Sequence, residues 1–386
     1  MVGVGVDRTP VIVSAKRTPI GRRQGALSGV HPQELLHHAH FAALTAAALD
    51  GSEIDVVYTG CVSKVGEQSY NIGRLAVLGG GLPKEIPAVT FDAQCGSSQH
   101  AVNLAASAVM SGAADIVLAS GVESMSRVPL GSDREVGFGD PLTAEYRKRY
   151  EVVTAGESAE RIAELWHVTR AECDQFGWES HQKSLLAQRT GAFDAEIVPV
   201  PLEDGRVVTA DEGVRSSELA ELGRLQPAFR EEGFHTAATS SQISDGAAAV
   251  VVMTRQEADR RGLTTLARIE GQTIVGVDPT LRLTGPIPAT AQLLKRTGLA
   301  LDDVDLFEVN EAFAGVVLAW MREYHVDPLR VNPNGGAISL GHPVGATGAR
   351  LITTAVHDLV RTERSRALVV MCTGGGLGTG TVLVRE

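Results

Sequence analysis

The apolar positions of this chain follow two spacings that alternate along most of its length. Short apolar runs, typical of buried strands, are each followed by a segment in which apolar residues recur every three or four positions, as on one face of a helix. The predicted strands lie at residues 11–13, 55–60, 88–94, 116–119, 248–253, 306–309 and 367–371. The predicted helices lie at residues 32–49, 71–78, 101–109, 312–324 and 343–360, with two more within 157–188. Repeated strand-then-helix order predicts an α/β fold.

Two stretches of the chain share one order of elements. Cys95 precedes a helix, a polar turn and the strand at 116–119, and His342 precedes a helix, a polar turn and the strand at 367–371. A duplicated α/β unit with a pseudo-twofold axis would bring both junctions to one centre, at the carboxyl ends of strands. We therefore predict that the two halves of the chain share one site.

The α/β pattern is interrupted after residue 124. Proline and glycine break every regular spacing from Arg127 to Ala155, and residues 157–188 then have the spacing of two amphipathic helices. The regular pattern returns near residue 246. The predicted division is an N-terminal half, an inserted segment and a C-terminal half, at 1–124 plus 246–268, 125–245 and 269–386.

Composition and charge exclude several classes of protein. With 386 residues, 44% of them hydrophobic, the chain is long enough for two or three compact domains. A formal net charge of −11 argues against nonspecific binding to nucleic acid or to an anionic membrane surface. No apolar run approaches the ~20 residues of a membrane span, and residues 1–8 lack the apolar core of a signal peptide. The four cysteines form no C-x-x-C pair, so we predict a cytoplasmic protein.

A histidine-rich stretch near the N-terminus raises the question of a metal site. His31, His37, His38 and His40 lie in or beside the helix at 32–49, and His37 and His40 are close enough in sequence to share a helix face. No carboxylate or cysteine joins them at ligand spacing. We therefore interpret them as a solvated or partly buried helix face and predict no metal.

Cys95 is the first candidate for chemistry. It stands where a strand ends and a helix begins, with Ser97 and Ser98 available to cap the first turn. Unpaired N–H groups and the helix dipole favour an anion there, so a thiol at this position is expected to ionise more readily than a free one. The alternative is a small buried apolar residue, and this stretch alone does not decide between the two.

Three further junctions carry the residue types that acyl transfer through a thiolate needs. Asn310 ends a strand, His342 precedes a helix, and Cys372 with Gly374 follows another strand. A histidine is a base for a thiol, an amide and the N–H groups of a glycine-rich turn are donors for a thioester oxygen, and a second thiol can move a proton. Together these residues predict acyl transfer.

These motifs resemble the signatures of the thiolases, the acyl-CoA C-acyltransferases and acetyl-CoA acetyltransferases, over essentially the whole chain. The stretches that carry the resemblance are residues 11–19, 121–126, 310–313, 334–337 with 341–343, and 372–376. The resemblance implies a five-layered αβαβα fold of two similar halves, with 125–245 as a loop domain over coenzyme A. Coenzyme A and acyl-CoA would be substrates, and no separate cofactor is expected. The resemblance also implies a homodimer or a homotetramer.

The resemblance also implies roles for individual residues. Cys95 would be the acylated nucleophile and His342 the base that activates it. Cys372 would move the proton at the acetyl carbon or the coenzyme A sulfur.

Asn310 would hold a water that, together with the histidine, binds the enolate oxygen. The backbone N–H groups of Cys95 and Gly374 would form a second oxyanion hole. Ser241 corresponds to a serine that meets the pantetheine, and Arg215 to an arginine near the adenine nucleotide.

The implied reaction is coenzyme A-dependent cleavage of 3-ketoacyl-CoA, reversible as a Claisen condensation. The main alternative is a biosynthetic acetyl-CoA acetyltransferase, but the inserted segment lacks the His/Met-rich run of that branch, which favours the degradative direction. A ketosynthase generally uses two histidines where this chain has His342 and Cys372. A silent acyl-CoA-binding relative would be expected to have lost one of the catalytic groups.

Ser98 departs from the glycine that many thiolases have at its position.

Overall fold

The computed structural model describes residues 7–135, 137 and 139–386. Residues 1–6 of the predicted N-terminal half, and positions 136 and 138 of the predicted inserted segment, lie outside the described residues. Everything stated below refers to the described part of the chain.

Strands and helices alternate as the apolar spacing predicts. The strands are β1 (Pro10–Arg17), β2 (Gly21–Arg22), β3 (Val56–Gly60), β4 (Ala88–Phe91), β5 (Ile116–Ser124), β6 (Val200–Pro201), β7 (Val207–Val208), β8 (Ser244–Thr254), β9 (Ala267–Gly276), β10 (Leu306–Val309), β11 (Arg366–Thr373) and β12 (Leu377–Arg385). The helices are α1 (Pro32–Ala46), α2 (Ile72–Gly79), α3 (Ser97–Ser111), α4 (Ala144–Arg149), α5 (Ala155–Leu165), α6 (Arg170–Arg189), α7 (Leu219–Leu222), α8 (Arg255–Arg261), α9 (Pro286–Thr297), α10 (Ala314–Tyr324), α11 (Ala337–Leu340) and α12 (Thr347–Thr362).

The two halves of the chain build the same sheet twice. The N-terminal order is β4-β3-β5-β8-β1, in which β4, β3 and β5 are parallel and β8 and β1 are antiparallel to their neighbours. The C-terminal order is β10-β11-β12-β9 with the same directions, and a parallel bridge from Phe307 to Val331 takes the place of the β3–β4 pairing. Short antiparallel pairing of β1 with β9 joins the halves. The matching topology confirms the predicted duplication.

Five layers follow from where the helices pack. Apolar residues of α3 and α12 form one core cluster with β1, β5, β8 and β11, so these two helices lie between the halves of the sheet. Helices α1 and α2 cover the outer face of the N-terminal half, and α9 and α10 cover that of the C-terminal half. The predicted αβαβα fold is confirmed.

The central helices approach each other at their N-terminal ends. A Cβ atom on Gly348 would lie 2.3 Å from the backbone nitrogen of Gln99, so only glycine fits there. The hydroxyl of Ser98 accepts a hydrogen bond from the N–H of Ala349 at 2.9 Å. Ser98 thus supplies an acceptor for the first turn of α12, whose backbone N–H groups have no partner within the helix. The contact brings the starts of α3 and α12 to one place.

The chain between β5 and β8 contains α4 to α7 and the hairpin of β6 and β7. The fully buried Arg17 holds part of it to the core: its Nε donates to Glu196 at 2.6 Å, and its Nη1 and Nη2 donate to Asp211 at 2.7 and 3.0 Å. That this segment covers coenzyme A stays a prediction.

Candidate active site

A cavity of about 240 Å³ lies where the two halves meet the inserted segment. Cys95 from the N-terminal half, His342 and Gly374 from the C-terminal half, and Ser241 all line it. Most of the residues predicted from sequence to act together are therefore gathered at one site.

A sharp turn presents Cys95 to this cavity. Gln94, immediately before it, has a φ of 53°, which non-glycine residues adopt rarely. The hydroxyl of Ser97 accepts from the N–H of Ala93 at 2.9 Å and donates to the carbonyl of Gln94 at 2.6 Å. The expectation that serines cap α3 is wrong, because this hydroxyl fixes the preceding turn and the N-cap residue is Gly96, with no side-chain cap.

The expectation of an easily ionised thiol is also wrong. Burial raises the pKa of Cys95, although the backbone N–H of Gly374 and the positive charge of Arg282 act in the opposite direction. Removing a thiolate from water costs more here than these two groups return. The side chain of Cys95 is therefore a neutral thiol.

The residues around His342 set the tautomer of its ring. Its Nδ1 lies 2.7 Å from the hydroxyl of Thr347, and that hydroxyl donates its single proton to the carbonyl of Pro343 at 2.9 Å. The hydroxyl must therefore accept a hydrogen bond from Nδ1–H, which leaves a lone pair on Nε2. Nε2 is buried and has no hydrogen-bond partner among the described residues. Burial, with a smaller effect from Arg350, lowers the pKa of His342 to about 3, so the ring is a neutral base.

Two other predicted residues, Cys372 and Asn310, do not line the cavity. Cys372 is fully buried near the end of β11, and burial followed by the nearby Cys95 raises its pKa. Asn310 directly follows β10, and both polar atoms of its buried amide lack a hydrogen-bond partner within the described structure. An unpaired buried amide costs on the order of 1–3 kcal/mol unless a bound molecule satisfies it.

The predicted coenzyme A contacts are only partly gathered. Ser241 lines the cavity, and its N–H donates to the carbonyl of Ala312 at 2.9 Å. Arg215 is exposed on the inserted segment and does not line the cavity; its N–H donates to Nδ1 of His181 at 3.1 Å. Both roles stay predictions.

Comparison with known protein families shows which family the chain belongs to. The family model "Thiolase, N-terminal domain" matches residues 10–256, and "Thiolase, C-terminal domain" matches residues 263–385. The chain belongs to the thiolase family. As predicted from its motifs, this thiolase is an acyltransferase with acyl-CoA thiolase activity.

Its relatives match over nearly their whole length. The chain is 44% identical over 382 residues to the steroid 3-ketoacyl-CoA thiolase FadA6 of Mycobacterium tuberculosis, covering 97% of this chain and 93% of that one. It is 39% identical over 401 residues to a beta-ketoadipyl-CoA thiolase of Acinetobacter baylyi, covering 97% and 98%. The solved human mitochondrial 3-ketoacyl-CoA thiolase in complex with CoA has a TM-score of 0.91 at 33% identity, covering 99% of both chains.

Sequence reasoning gave no role to a buried carboxylate of this thiolase. Glu123, near the end of β5, accepts hydrogen bonds from the N–H groups of Val62 at 2.9 Å, Ser63 at 3.0 Å and Gly345 at 3.0 Å, and from the Gln68 amide at 2.6 Å. Gly345 belongs to the loop that carries His342, so Glu123 holds that loop in place from the opposite half of the chain. The available signal was a single acidic residue among the small and apolar residues of the motif at 121–126.

Arg282 is the other residue that sequence reasoning missed. It lines the cavity from the loop between β9 and α9, and its charge lowers the pKa of both Cys95 and Cys372. The only signal in the sequence is a basic residue between two leucines, Leu281 and Leu283.

The structure offers nothing that points to a metal or to a membrane span in the part it describes. His40 is fully buried, not solvated or partly buried as predicted, and its Nε2 pairs with the hydroxyl of Ser120 at 2.8 Å. Within the described residues no group of three or more histidine, cysteine or acidic side chains is placed to bind a metal ion. No helix in that part is long and apolar enough to cross a bilayer.

Proposed function

We propose that this thiolase cleaves 3-ketoacyl-CoA with coenzyme A, through an acyl group on Cys95, to give acetyl-CoA and a shortened acyl-CoA. The observation that carries the proposal is a neutral thiol and a neutral imidazole with a free Nε2 lining one cavity. Such a pair can pass a proton as the sulfur attacks, without maintaining a buried thiolate at rest.

In the first half-reaction the Nε2 of His342 takes the proton of Cys95, and the sulfur attacks the 3-keto carbon. The N–H groups of Cys95 and Gly374 stabilise the tetrahedral oxyanion. The bond between C2 and C3 then breaks, its electron pair stays on the acetyl-CoA fragment as an enolate, and Cys372 gives that carbon its proton. Acyl-Cys95 and acetyl-CoA result.

In the second half-reaction coenzyme A loses its thiol proton to the Cys372 thiolate. Its sulfur attacks the acyl group, and the sulfur of Cys95 leaves and recovers its proton from His342. Every protein group returns to its starting state, and the named side chains and the two substrates account for every bond and proton in the proposed cycle.

The buried amide of Asn310 supports the assignment of the enolate site. Its unpaired nitrogen and oxygen suit a bound water that donates to the thioester oxygen as negative charge develops there. The protonated Nε2 of His342 would be the second donor. We assign Ser241 to the pantetheine, Arg215 to the nucleotide, and the segment 125–245 to the cover over coenzyme A.

The cleavage direction is favoured over synthesis of acetoacetyl-CoA. The chain lacks the His/Met-rich run of the biosynthetic branch, and relatives named as steroid 3-ketoacyl-CoA and beta-ketoadipyl-CoA thiolases support a degradative role. Cys372 in place of a second histidine disfavours a ketosynthase. We further propose a cytoplasmic protein, as its cysteine content indicates, and a homodimer or homotetramer, as the family resemblance implies.

Mass spectrometry tests this function directly. After brief incubation with a 3-ketoacyl-CoA and no free coenzyme A, the peptide that contains Cys95 is expected to carry the acyl group, and added coenzyme A should remove it. An adduct found only on Cys372 would overturn the assignment of the nucleophile.

A further inference from the structure

Arg282 has an unusual backbone in the wall of the active-site cavity. It is the central residue of a three-residue turn in which the N–H of Leu283 donates to the carbonyl of Leu281. Its φ is 27°, in the left-handed region that non-glycine residues adopt rarely. Such strain is typical of functional sites, where the surroundings hold a side chain in a required position.

The guanidinium of Arg282 has few partners. Its Nη1 donates to the carbonyl of Val153 at 3.1 Å, and its Nε is buried without a hydrogen bond. Its Nη2 lies 3.4 Å from where a Cβ atom on Gly374 would stand, beside the proposed oxyanion hole. Among the described residues it forms no ion pair. A half-buried arginine with unused donors is a favourable partner for an anion.

The other charged residues lining the cavity leave the charge of Arg282 unneutralised. Arg134 and Asp133 are both exposed at the cavity rim, and the charge of Arg134 lowers the pKa of Arg282 after the larger effect of burial. Asp133 forms no ion pair with either arginine. The positive charge therefore faces the space beside the two cysteines.

The position of Arg282 indicates which part of a substrate would meet it. The phosphates of coenzyme A lie at the far end of the pantetheine arm from the thioester, whereas Arg282 lies beside Gly374, next to the reacting carbons. The group that meets this charge is therefore on the acyl chain. A guanidinium presents a planar pair of donors that matches a carboxylate.

We propose that this thiolase selects 3-ketoacyl-CoA substrates whose acyl chain ends in a carboxylate a few carbons beyond the ketone, and that Arg282 binds that carboxylate. The inference rests on the proposed function and names its substrate class. The small cavity, whose walls include Leu283 and Phe313, holds the short apolar link between the ketone and the carboxylate.

A matched pair of substrates tests the proposal. 3-Oxoadipyl-CoA and 3-oxohexanoyl-CoA have the same six-carbon chain and differ only in a terminal carboxylate or methyl group. We expect kcat/KM of the parent protein to be at least about tenfold higher for 3-oxoadipyl-CoA, as for a charged hydrogen bond. Arg282→Met should lower that value roughly 10- to 100-fold more than it lowers the value for 3-oxohexanoyl-CoA, which loses only the effect of the positive charge on the two thiols. Arg282→Lys should retain part of the preference.

Controls separate this inference from other roles of the arginine. Arg260→Gln removes an exposed positive charge on α8, far from the cavity lining, and should change neither value. Equal losses on both substrates in Arg282→Met would overturn the proposal, because an arginine that acts on the thiols or on coenzyme A serves every substrate alike. A parent protein that shows no preference would also overturn it, while leaving the proposed function intact. Cleavage of neither substrate, with no acyl group on Cys95, would overturn both.

Alkylation of Cys95 provides a readout without turnover. Iodoacetate and iodoacetamide react with the same sulfur but differ in charge, so the positive cavity should favour iodoacetate. We expect the ratio of the two rates, measured on the Cys95 peptide, to fall several-fold in Arg282→Met. An unchanged ratio would contradict an anion-binding role.

Discussion

The two halves of this thiolase share one sheet topology but have different residues at equivalent strand ends. The parallel strands β3 and β10 are equivalent, and Cys61 follows the first where Asn310 follows the second. Strands β5 and β11 are also equivalent. The second-to-last residue is Glu123 in β5 and Cys372 in β11. Equivalent strand ends therefore carry different chemistry.

The two halves differ in how many hydrogen bonds these polar groups make within the protein. Glu123 accepts hydrogen bonds from two loops and from a side chain, whereas the Asn310 amide and the Nε2 of His342 have no partner among the described residues. Apart from Cys95, the N-terminal half thus braces the site, and the C-terminal half keeps groups available for substrate. A duplicated fold can divide its equivalent positions between stability and catalysis in this way.

The two N-terminal cysteines give the largest expected contrast. Cys95→Ser should lower thiolysis by several powers of ten, because a serine hydroxyl beside the same histidine is a poorer nucleophile than a thiol. Cys61→Ala, its matched control, removes a fully buried thiol outside the mechanism and should cost about 1 kcal/mol of stability with activity preserved. Activity is measured as consumption of 3-ketoacyl-CoA. A comparable loss of activity in both variants would contradict the assignment of different roles to the two cysteines.

Thr347 tests whether the free Nε2 depends on the tautomer. Thr347→Val removes the acceptor for Nδ1–H, so the ring loses its fixed orientation, and kcat should fall roughly 10- to 100-fold with little change in KM. Thr347→Ser keeps the hydroxyl and should restore most of kcat. If the valine and serine variants lose activity equally, packing rather than the hydrogen bond is what matters at this position.

Glu123 should show the smallest effect on chemistry and a clear effect on stability. Glutamine offers one acceptor oxygen, and its NH₂ group would face N–H donors, so Glu123→Gln should lower the free energy of unfolding by about 2 kcal/mol. Urea unfolding measures this change, and kcat should fall only several-fold. A stable variant that has lost all activity would instead assign Glu123 a direct part in the reaction.

The elements and the gathering of the motif residues were predictable because apolar spacing and strand-to-helix junctions are local properties of sequence. Strand β5 extends five residues beyond its predicted end at 119, because residues 120–124 are not an apolar run but pair with β8. The pKa of Cys95 was wrongly predicted, since the local helix end is outweighed by burial that distant elements create. The partners of Glu123 come from loops far away in sequence, and nothing in the local pattern of Arg282 marks it as a cavity residue.

Proton exchange at the α-carbon of acetyl-CoA tests most directly whether the two active-site thiols have separate tasks. The reaction in deuterated water needs the group that moves the proton and no second carbon substrate. In Cys372→Ser we expect exchange to slow by at least about 100-fold, while Cys95 still accepts an acyl group from an activated thioester. Undiminished exchange in this variant would show that another base takes the proton, and would contradict the division of labour between Cys95 and Cys372.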